Sequence, residues 1–109
     1  MAKEMLQIAV DKYQDAPAMR WLGNIYEHEK NFDTAEKYYQ KAIALNDPIA
    51  KGYYATLLFN RNKTNYKLAE KLWTEAAKSG HKQSIKNLII YYEKVSYNPS
   101  KANYWKSKL

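Results

Sequence analysis

The chain has 109 residues, 18 basic and 11 acidic, and a formal net charge of +7. It contains no cysteine, which excludes disulfides and thiolate metal sites. Three glycines and three prolines leave little sequence for loops and predict one mostly helical domain. No segment is apolar for long enough to span a membrane, and the N-terminus lacks a signal-peptide pattern. We therefore expect a cytoplasmic protein with no membrane association.

The stretch 16–47 predicts two short helices folded back on each other. The first helix has an apolar face made of Met19, Leu22 and Tyr26, which are three and four residues apart. Asp33 is the predicted N-cap of the second helix, with Glu36 three residues later completing a capping box. Such a helix pair cannot bury its apolar face alone, so it must stack on copies of itself.

The same spacing of small and large residues occurs three times along the chain. The three copies are Ala2, Leu6 and Ala9; Ala35, Tyr39 and Ala42; and Ala69, Trp73 and Ala76. Because the copies are 33 and 34 residues apart, they predict a helical repeat. The predicted order is a half repeat over 2–14, hairpins over 16–47 and 48–81, and a degenerate hairpin over 82–109. An unrelated leader helix is the alternative for the first segment.

Further apolar residues extend the predicted core into the second and third hairpins. In the second hairpin they are Ile49, Tyr53, Tyr54, Leu57, Leu58, Leu68 and Leu72, and in the third Ile85, Leu88, Ile89, Tyr91 and Tyr92. Asn98 and Pro99 predict the start of a last helix that carries Ala102 and Trp105.

Leu22-Gly23-x-x-Tyr26 followed by Ala35-x-x-x-Tyr39-x-x-Ala42 resembles the tetratricopeptide repeat. The later segment from Ala69 to His81 is similar to the related Sel1-like repeat. The resemblance implies an all-α, right-handed superhelix of about three hairpins plus the N-terminal half repeat, seven helices in all. It also implies a scaffold that binds another protein, and so small an array favours an adaptor, an inhibitor or an immunity-type protein.

Few residues could support catalysis or hold a metal ion. The two histidines, His28 and His81, fall in different hairpins, and neither has a partner at metal-ligand spacing. Both are expected to be polar surface residues. The sequence has no Gly-rich phosphate loop and no nucleophile motif. We therefore expect no enzymatic activity, no cofactor and no metal.

In tetratricopeptide arrays the first helix of each pair lines a concave groove, which implies a binding surface for this chain. Carried over by position, the groove residues are Arg20, Asn24, Glu27 and His28; Gly52, Thr56, Phe59 and Asn60; and Lys86, Ile90, Glu93 and Lys94. Phe59 and Ile90 are the predicted apolar anchors for a partner. A shift of the helix phase by one position would bury both of them instead.

Arg20 and Asn24 resemble the first part of the clamp by which some members of the family hold a C-terminal carboxylate. Tyr53 stands where that clamp has asparagine, and Gln83 and Asn87 stand where it has basic residues. The departure argues against a receptor for chaperone tails. Arg20 as an ordinary solvated residue is the alternative.

The charge is unevenly distributed along the chain. Residues 1–47 carry six basic and eight acidic residues, a net charge of −2, whereas residues 48–109 carry 12 basic and three acidic residues, a net charge of +9. The predicted basic surface comprises Lys63, Lys67, Lys71, Lys78 and Lys82. This asymmetry favours an acidic protein partner.

Two alternatives remain for the basic half. Nucleic acid is one, with Trp105 or a tyrosine available for base stacking, but Arg20 and Arg61 are the only arginines and specific readout of phosphates and bases favours arginine. Self-association through an exposed terminal helix around Tyr104 and Trp105 is the other. Many of the lysines also lie opposite the apolar face, as ordinary solvent-exposed residues do.

Overall fold

The chain folds into seven α-helices, each packed against its neighbours in sequence, in a computed structural model that describes residues 3–109. The helices are α1 (Lys3–Tyr13), α2 (Ala16–His28), α3 (Phe32–Ala44), α4 (Pro48–Arg61), α5 (Tyr66–Lys78), α6 (Lys82–Ile90) and α7 (Pro99–Lys106). A 3-10 turn (Lys63–Asn65) precedes α5, and a π-helical segment (Tyr91–Val95) continues α6. Residues 3–109 contain no strand.

The predicted all-α helical-repeat solenoid with seven helices is confirmed. The molecule is elongated, 45 × 26 × 21 Å, because most contacts join helices that are consecutive in the chain. Ala2, the first member of the predicted half repeat, lies outside the described residues.

The helix ends are set by side chains that accept backbone hydrogen bonds. The Asp47 carboxylate accepts from the backbone N–H of Ile49 at 3.0 Å, ahead of α4. The prediction for α3 was wrong: its N-cap is Asn31, whose Oδ1 accepts from the N–H of Thr34 at 3.4 Å. Asp33 is already inside the helix. The break at residues 31–33 offered two residues that favour caps, and the chain uses the earlier one.

Small residues let α2 and α3 approach closely. A Cβ atom on Gly23 would lie 2.6 Å from the ring of Tyr39 and 3.2 Å from the carbonyl oxygen of Ala35. Tyr39 is fully buried, and its hydroxyl donates to Glu27 Oε1 at 2.7 Å. The first hairpin is therefore held by one large ring seated against a glycine.

The C-terminal half is packed around aromatic rings. Its core joins the buried residues Ala55, Ala69, Trp73, Ala77, Ile85, Leu88, Ile89, Tyr91, Tyr92, Ala102 and Trp105. Two predictions were wrong here. Trp105 is buried beside Ala102 rather than exposed, and Leu68 is 46% exposed because α5 turns its alanines and Trp73 inward.

Candidate functional site

A small cavity lies between α4 and α6, and we call it the α4–α6 cavity. Its volume is about 150 Å³, and it is lined by Thr56, Phe59, Asn60, Trp73, Asn87, Ile90, Tyr91 and Val95. Four of the predicted groove residues, Thr56, Phe59, Asn60 and Ile90, therefore share one concave site. Gly52, a further predicted groove residue, is buried where α4 meets α6, with Ser84 against it.

The floor of the cavity is aromatic. The Phe59 ring stacks on Tyr66 with centroids 4.4 Å apart and lies 5.2 Å from the Trp73 ring. Phe59 is half-buried, so it forms the floor rather than projecting from it. The rim is aliphatic and open to solvent, since Ile90 is 52% exposed and Val95 is 42% exposed.

The polar groups in the cavity floor already satisfy one another. The Thr56 hydroxyl donates to the carbonyl oxygen of Gly52 at 3.1 Å. It accepts from Trp73 Nε1 at 3.2 Å and from Asn87 Nδ2 at 3.4 Å. Because these donors and acceptors are paired, an apolar side chain can enter without leaving them unsatisfied.

Of the four predicted groove residues of the first hairpin, Glu27 and His28 line a separate depression, whereas Arg20 and Asn24 do not. This depression has a volume of about 560 Å³ and is lined by Glu27, His28, Lys30, Phe32, Leu57, Asn60 and Arg61. His28 is exposed, with Nδ1 2.8 Å from the carbonyl oxygen of Asn24. Asn60 lines both this depression and the α4–α6 cavity, so the two are adjacent along α4.

Arg20 does not present a free guanidinium to the groove. Its Nε atom bonds Asp47 Oδ2 at 3.1 Å, and only 13% of its side chain is exposed. The guanidinium carbon lies 5.9 Å from the centroid of the Tyr53 ring. Arg20 therefore joins the first hairpin to the second and is not available to clamp a carboxylate.

The two predicted lysines of the third hairpin do not line the cavity, but they are neighbours of Ile90 along the chain. Lys86 precedes Ile90 by four residues, about one helical turn, and Lys94 follows it by four residues within the π segment. Both lysines are exposed, as is Glu93, which bonds Lys106 at 2.7 Å. Ile90, which is at the rim, therefore has an exposed lysine four residues away on either side of it in the chain.

His81 is not the surface residue that the sequence predicted. It is half-buried at the start of α6, with Nδ1 2.7 Å from Ser84 Oγ and its ring 5.9 Å from that of Tyr53. Burial, followed by the nearby charge of Arg20, lowers the pKa of its imidazole.

The basic residues of α5 form a second surface, which we call the α5–α7 groove. It has a volume of about 540 Å³ and is lined by Lys67, Glu70, Lys71, Thr74, Glu75, Lys78, Tyr92, Lys101, Tyr104 and Trp105. Lys63 and Lys82, also predicted for the basic surface, are exposed but lie elsewhere. Tyr104 is 53% exposed and is the aromatic ring this groove offers to solvent.

Sequence reasoning missed two features of the site. Val95 reaches the cavity rim because the π-helical segment alters the spacing of side chains after Ile90. Arg61 and Phe32 line the neighbouring depression, with the guanidinium carbon 5.2 Å from the ring centroid. An apolar residue beyond Ile90 was visible in the sequence, but nothing in its spacing indicated a π turn.

Between Lys3 and Leu109, no grouping of three or more His, Cys, Asp or Glu side chains could hold a metal ion. None of the helices in that range is both long and apolar enough to cross a bilayer.

Comparison with known families finds one match, in which the tetratricopeptide repeat model covers residues 16–47. No curated protein and no solved structure matches the chain. The first hairpin therefore matches the tetratricopeptide repeat. The Sel1-like character of the second hairpin stays a prediction.

Proposed function

Because residues 16–47 match the tetratricopeptide repeat, a module that generally mediates contacts between proteins, we propose that the chain is a non-enzymatic protein-interaction module. In this proposal it binds an acidic protein or peptide, and the α4–α6 cavity takes one apolar side chain of that partner. It acts as an adaptor or inhibitor by occupying a surface of the partner.

The single observation that carries this proposal is the form of the α4–α6 cavity. A cavity of about 150 Å³ has room for one benzene-sized group. Its floor is aromatic, and its rim exposes Ile90 and Val95. An apolar side chain that covers this rim would remove further apolar surface from water, at about 25 cal/mol for each Å² buried.

The charge beside the rim favours a partner with carboxylates. Within residues 3–109, no carboxylate forms a salt bridge with Lys86 or Lys94. Such exposed cations accelerate and orient the approach of an acidic surface more than they tighten the final complex. We therefore expect a partner segment in which one large apolar residue is flanked by aspartate or glutamate.

Nucleic acid is the second candidate, and the α5–α7 groove is what favours it. Its lysines could follow a phosphate backbone. Two features weigh against it: Glu70 and Glu75 line the same groove, where they would repel phosphates, and Trp105 is buried and unable to stack on a base.

A peptide selection tests the proposal while the partner is still unidentified. The purified chain is used to select from a random peptide display library, and the recovered consensus is synthesised with a fluorescent label. We expect one aromatic or branched apolar residue with neighbouring carboxylates. Its affinity, measured by fluorescence anisotropy, should fall roughly tenfold in Ile90→Ala, as for an interface anchor worth about 1–2 kcal/mol.

Leu68→Ala is the matched control, because Leu68 on α5 is also an exposed aliphatic residue, at 46% against 52% for Ile90. It should leave the affinity unchanged. Equal losses in both variants, or a consensus without carboxylates, would contradict the proposal. A labelled oligothymidylate that binds the chain more tightly than any selected peptide, with affinity falling steeply in salt, would favour the nucleic-acid alternative.

A further inference from the structure

The α5–α7 groove combines a row of lysines on α5 with one exposed aromatic ring on α7. Lys67, Lys71 and Lys78 stand on one stripe of α5, because they are separated by four and seven residues. Thr74 lies between the last two and leaves a gap in the row. Across the groove, α7 contributes the exposed ring of Tyr104.

The charges in the groove are only partly neutralised within the molecule. Glu75 bonds Lys51 at 3.2 Å, and Glu70 accepts a short hydrogen bond from Tyr92 and lies 4.0 Å from Lys101. None of the three α5 lysines forms a salt bridge with a carboxylate of residues 3–109.

The complementary pattern occurs on α1, in the other half of the chain. Glu4 and Asp11 are exposed on the face of α1 that turns away from the core, and Asp15 follows just after the helix. Between them, Ile8 is 59% exposed, and its neighbour Met5 is 66% exposed. The outer face of α1 is therefore acidic, with two large apolar side chains in contact with water.

One antiparallel register brings the two patterns into agreement. Glu4 and Asp11 are seven residues apart, as are Lys78 and Lys71, and both pairs span about 10.5 Å along a helix axis. Placing Glu4 beside Lys78 sets Asp11 beside Lys71. The same register places Ile8 opposite Thr74, where the small side chain leaves room.

The alignment continues beyond these pairs. In the same register Lys12 falls opposite Glu70, which is a further pair of opposite sign. On α1, the Asp11 carboxylate has the neutral Gln7 amide as its side-chain hydrogen-bond partner, at 2.9 Å. Its charge is therefore available to a lysine.

We propose that the α5–α7 groove binds helix α1 of a second copy of this chain. The contact is heterologous, because α1 and the groove are different surfaces at different ends of an elongated molecule. Each added copy presents a new free α1 and a new free groove, so the assembly grows head to tail unless it closes into a ring. This inference is independent of the proposed function, which uses the α4–α6 cavity.

Sedimentation equilibrium of the purified chain over a wide concentration range tests the proposal. The weight-average mass should rise above the 12.8 kDa of one chain and continue past the mass of a dimer. Added salt should return it toward 12.8 kDa, because the charges are exposed and screened. A mass that stays at one chain at every concentration would overturn the proposal.

Charge reversal identifies the surfaces. Asp11→Lys and Lys71→Glu change exposed side chains, so both variants should keep the wild-type helical circular dichroism. Each should need at least tenfold higher concentration for the same degree of association. An equimolar mixture of the two variants should associate again, since the unchanged α1 of Lys71→Glu fits the unchanged groove of Asp11→Lys, and the two reversed charges attract each other.

Controls of the same charge change lie on α3, where Asp33→Lys and Lys37→Glu alter exposed residues away from both surfaces. These variants should associate as the wild type does, and so should Ile90→Ala. Association that persists in both reversal variants, or a mixture that fails to recover it, would overturn the assignment. Failure here with intact peptide binding at the α4–α6 cavity would leave the proposed function standing.

Discussion

The first hairpin and the C-terminal half stabilise their helices by different means. In the first hairpin, one buried ring, Tyr39, rests directly against Gly23, and its hydroxyl reaches Glu27 on the facing helix. In the C-terminal half, the rings of Phe59, Trp73 and Tyr91 each contact several others. The first arrangement centres on one fully buried ring, which also packs edge-on against the Tyr53 ring with centroids 6.1 Å apart, whereas the second is distributed over several rings that contact one another.

The difference corresponds to where the repeat pattern is kept and where it changes. The family match covers residues 16–47, where small and large residues alternate at the repeat positions. Beyond it, a 3-10 turn lengthens one connection and the π-helical segment interrupts the third hairpin. The α4–α6 cavity opens beside that segment, so the part of the fold with redundant packing is also the part that offers a binding site.

The largest effect that distinguishes the two regions is expected from removing single rings. Tyr39→Ala should lower the free energy of unfolding by about 3–5 kcal/mol, because it empties a fully buried position. Phe59→Ala should cost only about 1–2 kcal/mol, since this ring is half-exposed and its removal uncovers less apolar surface. Urea denaturation measures both, and comparable losses would contradict the prediction.

A smaller effect is expected on the stability of both regions at alkaline pH. Burial, followed by a hydrogen bond to a glutamate, raises the pKa of Tyr39 and of Tyr92 above that of a free tyrosine. The tyrosine hydroxyl therefore loses its proton at a lower pH in the unfolded chain than in the folded one. The stability that each tyrosine contributes is fully present below about pH 10 and falls as the pH rises further. Each such tyrosine contributes a slope of at most about 1.4 kcal/mol per pH unit.

Substituting the tyrosines assigns this slope. Tyr39→Phe and Tyr92→Phe should each flatten the decline of the urea midpoint above pH 10, because each removes one buried phenol. Tyr97→Phe is the control, since Tyr97 is 78% exposed, and it should leave the decline unchanged. An equal decline in the wild type and Tyr39→Phe would contradict the prediction.

Most of the fold could be predicted from the repeat pattern, because that pattern reports packing between helices that are adjacent in sequence. Gly23 and Tyr39 belong to adjacent helices, so spacing alone predicts that they meet. The small residues Ala69 and Ala76 around Trp73 likewise reported the buried face of α5. Leu68 misled the prediction because hydrophobicity alone does not distinguish the centre of a helical face from its edge.

The site was predictable only in part, because it depends on contacts between repeats. Phe59 and Ile90 were expected on the groove, and both line the α4–α6 cavity. The pairing of Arg20 with Asp47, 27 residues away, has no signature in spacing, and it removes Arg20 from the groove. The π turn that carries Val95 to the rim arises from packing in the third hairpin, which the pattern of apolar residues does not report.

The smallest expected effect concerns His81, which links α6 to α4 through its contacts with Ser84 and Tyr53. Its pKa is lowered by burial and then by the charge of Arg20, while the charge of Asp47 acts in the opposite direction. The unfolded chain therefore binds a proton at higher pH than the native one, so stability is lost as the pH falls below about 6.5. The slope cannot exceed about 1.4 kcal/mol per pH unit and should be less, because the ring is only half-buried.

His81→Asn should remove this acid-side slope, because asparagine can still bond Ser84 but does not titrate. His28→Asn is the control, since His28 is exposed, and it should retain the slope. Urea midpoints measured between pH 7 and pH 5 decide the question. A slope that survives His81→Asn would mean that the packing between α4 and α6 tolerates a positive charge on His81. Protonation of carboxylates elsewhere would then cause the loss of stability at low pH.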